Sequence, residues 1–241
     1  MNFTDWMLQQ GAVLLTSTEQ GLSLFRFPGT ERRVEFHPLR ATEIPAADIV
    51  VWEDVWHRHR KAVQNRLLSF MGKCQRLHGR LCRVQRITKP EAETFLEDWH
   101  TAGYTGAAYH FGLFRQKELV AVASFSKSRT LTKREKPLRS CELIQYATKG
   151  GYRVAGGLGK LLQFAAEDRR FEHLMTYADL EWTDGAVYRR LGFKEDSHTE
   201  PIRFLVHEKT RVRVPAGRQD AVAAGWVKIA NRGNIKFVKL V

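Results

Sequence analysis

Three glycines in four positions, inside Tyr152-Arg153-Val154-Ala155-Gly156-Gly157-Leu158-Gly159-Lys160, stand directly before the apolar-periodic run Leu161, Leu162, Phe164, Ala165. The spacing predicts a sharp turn into a helix, because glycine adopts backbone conformations closed to other residues and bares its N–H groups. Two readings stay open on these residues alone. One is an anion seat at a helix N-terminus; the other is a tight corner whose glycines allow close packing. A nucleotide loop of the Gly-Lys-Ser/Thr type is excluded, since no such pair closes the turn, and the full GxGxxG register is absent.

The chain has 241 residues, 43% of them apolar, enough for a large core. Lysine and arginine outnumber acids 39 to 26, a net charge of +13, which suits an acidic polymer as partner. The excess is concentrated. Between positions 51 and 90 lie Arg58, Arg60, Lys61, Arg66, Lys73, Arg76, Arg80, Arg83, Arg86 and Lys89 against only Glu53 and Asp54, a local balance of +8. Such a stripe is either a surface that neutralises backbone phosphates or a solvated helix face, and the scarcity of acids favours the former. Cys74, Cys82 and Cys141 are odd in number and lack CxxC spacing, which fits a reducing compartment. No apolar run reaches the ~18 residues of a membrane span, and Met1-Asn2-Phe3-Thr4-Asp5 lacks the basic start of a secretion signal, so a cytoplasmic protein without membrane contact is expected.

Along the chain, residues 1 to about 50 predict two or three short strands punctuated by Pro28-Gly29, Pro38 and Pro45, with Ile49-Val50-Val51-Trp52 as another. A helix is predicted from Glu53 or Asp54 to Gly72. Cys82 to Ile87 alternates as a strand, and Lys89-Pro90-Glu91 opens a helix whose apolar face carries Phe95, Leu96 and Trp99. A hairpin around Arg115-Gln116-Lys117-Glu118 follows, then a basic loop from Lys127 to Lys136. Strands at Ser140–Ala147, His173–Asp179 and Ile202–Val206 alternate with the glycine turn, its helix, and a short helix from Gly185 to Arg190. Gly225–Ile229 and Ile235–Lys239 are predicted to form a terminal hairpin around Arg232-Gly233-Asn234.

This order, three strands, glycine turn, helix, strand, then a short helix with Tyr188-Arg189-Arg190-Leu191-Gly192-Phe193, resembles the GNAT acyltransferase superfamily over roughly residues 82 to 207. Trp52-Glu53-Asp54-Val55-Trp56, His78-Gly79-Arg80, Gly112-Leu113-Phe114, Glu142-Leu143-Ile144 and Tyr177-Ala178-Asp179-Leu180-Glu181-Trp182 are similar, further, to phage and bacterial GNAT-like domains related to Mom DNA-modification proteins and to those associated with homing endonucleases. The resemblance implies an α+β fold in three layers: a mixed, mainly antiparallel sheet flanked by helices. It implies a domain at 82–207, preceded by an N-terminal β/helical extension at 1–81 and followed by a hairpin tail at 208–241. Acyl-CoA is implied as cofactor, its pyrophosphate held by Arg153, Val154, Ala155, Gly156, Gly157, Gly159 and Lys160, although Leu158 departs from the family's Gly-x-Gly/Ala register.

Acyl transfer to an amine requires a base, a polarised carbonyl and a proton for the departing thiolate. Tyr188, where the superfamily places a tyrosine, is the candidate acid. Asp179 at the end of its strand, Glu142 within a strand and His100 in a loop are the candidate bases; a helix cap, an ion pair with Arg139 and a structural histidine are the respective alternatives. Arg76, Arg80, Arg83, Lys127 and Arg129 are candidate contacts to nucleic acid, with DNA as the expected form, and Tyr104 and Trp182 are candidate stacking surfaces for an extruded base. No residue set has metal-ligand spacing; His57 and His59 are two apart on a predicted helix and face away from each other. The expectation is an acyl-CoA-dependent N-acyltransferase acting on nucleic acid, the alternative a non-catalytic DNA-binding module on the same scaffold.

Overall fold

A computed structural model describes residues 1–41, 45–132, 137–217 and 222–241. The elements run α1 (Phe3–Gln9), β1 (Val13–Ser17), β2 (Ser23–Arg26), β3 (Arg33–His37), β4 (Ile49–Trp52), α2 (Glu53–Arg58), α3 (Arg60–Phe70), β5 (Gln75–His78), a 3₁₀ turn (Gly79–Leu81), β6 (Arg83–Arg86), α4 (Lys89–Trp99), β7 (Tyr109–Arg115), β8 (Glu118–Phe125) and β9 (Arg129–Leu131). They continue with β10 (Leu138–Thr148), β11 (Tyr152–Ala155), α5 (Gly157–Arg169), β12 (His173–Asp179), α6 (Ala186–Arg190), β13 (Lys194–His198), β14 (Arg203–His207), β15 (Arg213–Pro215), β16 (Trp226–Ala230) and β17 (Asn234–Leu240). Two compact units result, one of residues 1–60, 178–185 and 198–235, the other of 61–177, 186–197 and 236–241.

In the first unit, β1-β2-β3-β4 form one sheet and β15-β14-β16 another. Leu39, Val50, Trp52, Val206 and Ile229 pack into a shared core. The N-terminal helix α1 was not predicted: its seven residues are too few for a clear period, and it is held by an Asn2 cap to the Asp5 amide at 2.8 Å and by burial of Phe3, Trp6 and Met7. The helix expected from Glu53 to Gly72 is two helices, because His59 leaves helical geometry (φ −123°, ψ 38°).

The second unit is a mixed α/β body with a large, mostly antiparallel sheet in the order β13-β17-β12-β10-β8-β7-β6 and β9 on β10. Local rules account for α4. Thr88 and Glu91 form a capping box, with the Thr88 amide donating to Glu91 Oε2 at 2.7 Å, and Ala92, Phe95 and Leu96 pack on Val122 and Ala147 of the sheet. On the opposite face α5 is seated through Phe164, edge-on to Phe111 at 5.7 Å. The expected basic loop contains β9; Lys133, Arg134, Glu135 and Lys136 lie outside the described residues.

Two expectations are corrected. The terminal segments are not a hairpin: β16 pairs with β14, whereas β17 enters the large sheet between β13 and β12, burying Ile235 and Phe237. Residues 152–155, read as part of the turn, are a strand that pairs in parallel with β5 as a separate two-stranded ribbon.

Candidate functional site

The site is created by a parting of strands. β10 and β12 pair in parallel from Ser140↔His173 to Leu143↔Thr176, and there the ladder ends although both strands continue. A bulge sets the point of divergence, since β10 shifts register against β8 between Leu143 and Gln145, adding Ile144. The edge of β10 beyond Leu143 therefore offers main-chain groups to an extended ligand, the geometry by which a sheet accepts an added strand.

Three hydroxyls stand at the parting. Tyr146 is opposite Ala123, which is opposite Phe111, so all three share the face covered by α5. Thr176 donates to the Leu143 carbonyl at 3.0 Å and also bonds Tyr188. A threonine hydroxyl has one proton; with that proton on Leu143, Thr176 has only lone pairs for Tyr188, so the tyrosine donates. Phe193 and Phe237 hold the Tyr188 ring at 5.8 and 5.5 Å. Burial raises the Tyr146 pKa, and the nearby Tyr188 and Cys82 raise it further. Burial likewise raises the Tyr188 pKa. Both phenols thus hold their protons at neutral pH. Sequence reasoning missed Tyr146 because alternation within β10 does not show that its face borders a gap.

Each glycine of the turn now has its own reason. Gly156 is left-handed (φ 74°) and caps α5 without a side-chain bond. At Gly157 a Cβ would stand 2.7 Å from Val154 Cγ1 and 3.1 Å from Leu113 Cδ2, and at Gly159 3.0 Å from Leu191. Close packing therefore explains Gly157 and Gly159. The Gly157 amide is covered: a Cβ on Gly79 would lie 2.8 Å from that nitrogen, 3.0 Å from Gly157 Cα and 3.1 Å from the Ala155 oxygen. The Lys160 amide returns to the Gly156 carbonyl at 3.2 Å, which leaves Leu158 and Gly159 as first-turn donors without an acceptor among the described residues. Because all three atoms facing Gly79 are backbone, Gly79→Ala is expected to cost about 1–3 kcal/mol by overpacking. Chemical denaturation of that variant measures this.

The remaining predicted residues are placed as follows. Lys160 directs Nζ to the carbonyls of Cys82 (2.5 Å) and Gly79 (3.4 Å), tying α5 to the 3₁₀ turn. Val154 is buried, Ala155 half-buried and Arg153 exposed. Glu142 lies on the sheet face opposite Tyr146, its pKa raised by burial against an opposing effect of Arg129. His100 Nδ1 receives the Ala102 amide at 3.2 Å and is 3.0 Å from Gln145 Nε2, so it fastens its own loop. Tyr104 packs beside α4 with a buried hydroxyl that has no hydrogen-bond partner among the described residues. Asp179 accepts the Glu181 amide at 2.9 Å as a turn cap, and Trp182 is 5% exposed. Arg76, Arg80, Arg83, Lys127 and Arg129 are exposed, Arg129 approaching Met175 Sδ at 2.9 Å. Among the described residues no group of three or more His, Cys, Asp or Glu could hold a metal ion, and no helix is long and apolar enough to cross a membrane.

No family model matches the chain, and no curated protein matches it. Solved structures do. An acetyltransferase of Bacillus subtilis in complex with CoA is 14% identical over 66% of this chain and 99% of its own, with a TM-score of 0.41. A GNAT family acetyltransferase from Elizabethkingia anophelis with acetyl-CoA bound is 11% identical over 67% of this chain and 99% of its own, with a TM-score of 0.38. Arabidopsis thaliana NAA60 in complex with acetyl-CoA is 10% identical over 66% and 99%, with a TM-score of 0.43.

Proposed function

We propose that the second unit is an acyl-CoA-dependent N-acyltransferase, and the observation that carries this reading is the parting of β10 from β12 with Tyr146, Thr176 and Tyr188 beside it. The residues present fit the group. A freed strand edge suits the paired amides of a pantetheine arm, and the Leu158 and Gly159 amides at the positive end of α5 suit a pyrophosphate. When bound, acyl-CoA supplies an acyl group activated as a thioester. The chain's own residues hold the arm along β10, direct two helix-end amides at an anion, and keep protons on the Tyr146 and Tyr188 oxygens for delivery to a leaving group. Calorimetric titration with acetyl-CoA is expected to show one site per chain. Absence of binding at millimolar ligand would remove the cofactor from the account.

A nucleic-acid reading is favoured by one observation. Arg76, Arg80 and Arg83, in the eight positions from 76 to 83 beyond α3, are exposed, in a chain of net charge +13. On this reading the acceptor is a nucleic-acid amine, as in Mom-like base modification, or the unit binds DNA without catalysis. The logarithm of the affinity for duplex DNA should then fall linearly with the logarithm of salt concentration, and affinity should fall further on charge reversal at these arginines.

A further inference from the structure

The ribbon of β5 and β11 places two arginines side by side. Its parallel register sets Tyr152 opposite Gln75, Arg153 opposite Arg76, Val154 opposite Leu77 and Ala155 opposite His78. Val154 and Leu77 are buried, so alternation turns Arg153 and Arg76 outward, and both are exposed. Neighbouring strands are about 4.8 Å apart, and like charges directly opposite each other destabilise a strand pair. Other arginines have carboxylates: Arg26 with Glu31, Arg40 with Glu208, Arg86 with Asp168, Arg189 with Glu195 and Arg213 with Asp54. Neither Arg76 nor Arg153 pairs with an acid among the described residues. Glu118 is engaged by Lys149 at 2.6 Å and by the Tyr152 hydroxyl at 3.1 Å, and Tyr152 projects from the ribbon face opposite Arg153. Directly after Arg153 the chain reaches the exposed left-handed Gly156 and the open amides of α5.

We infer that Arg76 and Arg153 form a two-guanidinium seat for a terminal phosphate monoester, namely the 3′-phosphate of CoA, and so make the unit select CoA over its 3′-dephospho form. The inference rests on the acyl-CoA reading above. Charge count decides between phosphate types. A monoester carries nearly two negative charges at neutral pH and offers three acceptor oxygens to two forks at one point, whereas a nucleic-acid diester carries one. The opposed arginines match the former, and relief of their mutual repulsion adds to the selectivity.

Titration of the full chain with CoA and with 3′-dephospho-CoA tests this, with duplex DNA as a separate arm. The wild type is expected to bind CoA at least tenfold more tightly than 3′-dephospho-CoA. Arg76→Gln should reduce that ratio while leaving affinity for 3′-dephospho-CoA within about twofold, Arg153→Gln should also reduce it, and the double variant should abolish it. Arg76→Lys should retain only part of the ratio, since an ammonium lacks the fork. Equal wild-type affinity for the two ligands overturns the phosphate seat and leaves the acyl-CoA reading standing; absence of binding to either overturns both. Loss of DNA affinity in the double variant with the CoA ratio unchanged also overturns the seat and assigns the pair to nucleic acid. Both side chains are exposed, so circular dichroism of the variants should match the wild type.

Discussion

Replacing Glu181 by glutamine is expected to flatten the pH dependence of stability and to strengthen the fold on the alkaline side. Glu181 is 3% exposed and accepts the Trp52 indole N–H at 2.7 Å. Burial, and then the neighbouring Asp179, push its carboxyl up to about 8. Trp52, Arg213 and Arg232 act in the other direction. Both arginines are already committed, Arg213 to Asp54 at 2.7 and 2.8 Å and Arg232 to the Ala47 carbonyl at 2.6 Å. A carboxyl whose folded value exceeds its unfolded value near 4.5 binds more protons when folded, so stability falls as pH rises between about 4.5 and 8. The full difference is on the order of 4 kcal/mol. Glutamine keeps an acceptor for Trp52 and has no proton to lose. Urea unfolding from pH 5 to pH 9 should show wild-type stability declining relative to Glu181→Gln by several kcal/mol. Parallel curves would mean that Glu181 is ionised throughout.

The second large effect concerns the tyrosines. Tyr146→Phe and Tyr188→Phe should each lower kcat by about 10²- to 10⁴-fold, the range for a lost general acid, with affinity for acetyl-CoA unchanged within about twofold. Thr176→Val should reproduce part of the Tyr188 effect, because it removes the acceptor that fixes the phenol while leaving the phenol in place. Thiol release from acetyl-CoA with a panel of amines, read beside direct binding, separates the two steps. Full turnover in Tyr146→Phe would exclude its hydroxyl from proton transfer.

How far the sequence carried can be judged from individual elements. The helix opening at Lys89-Pro90-Glu91, the hairpin at 115–118 and the turn into α5 depend on residues within a few positions of one another, and these were legible. The destination of β17 was not, because its glycine-containing approach and alternating pattern suit a hairpin equally well; only the space between β13 and β12 decides. The same holds for β11, whose partner β5 lies 77 positions earlier at the Arg153↔Arg76 pair. Trp182 and Tyr104, aromatic candidates for base stacking, are occupied by packing that no local pattern encodes.

The glycine turn divides the two kinds of information most clearly. Composition and period by themselves determined that the chain turns sharply into a helix there, among strands alternating with helices, since backbone freedom and apolar spacing are local properties. Only the tertiary structure decided which glycine bends and which merely lets neighbours approach: Gly156 is left-handed, while Gly157 and Gly159 face Val154, Leu113 and Leu191. It alone brought Tyr146, Thr176 and Tyr188 from three separate elements to one parting of strands and set Arg76 beside Arg153. Contacts between residues far apart in sequence depend on how whole surfaces pack, a property of the closed chain that no single stretch of it carries.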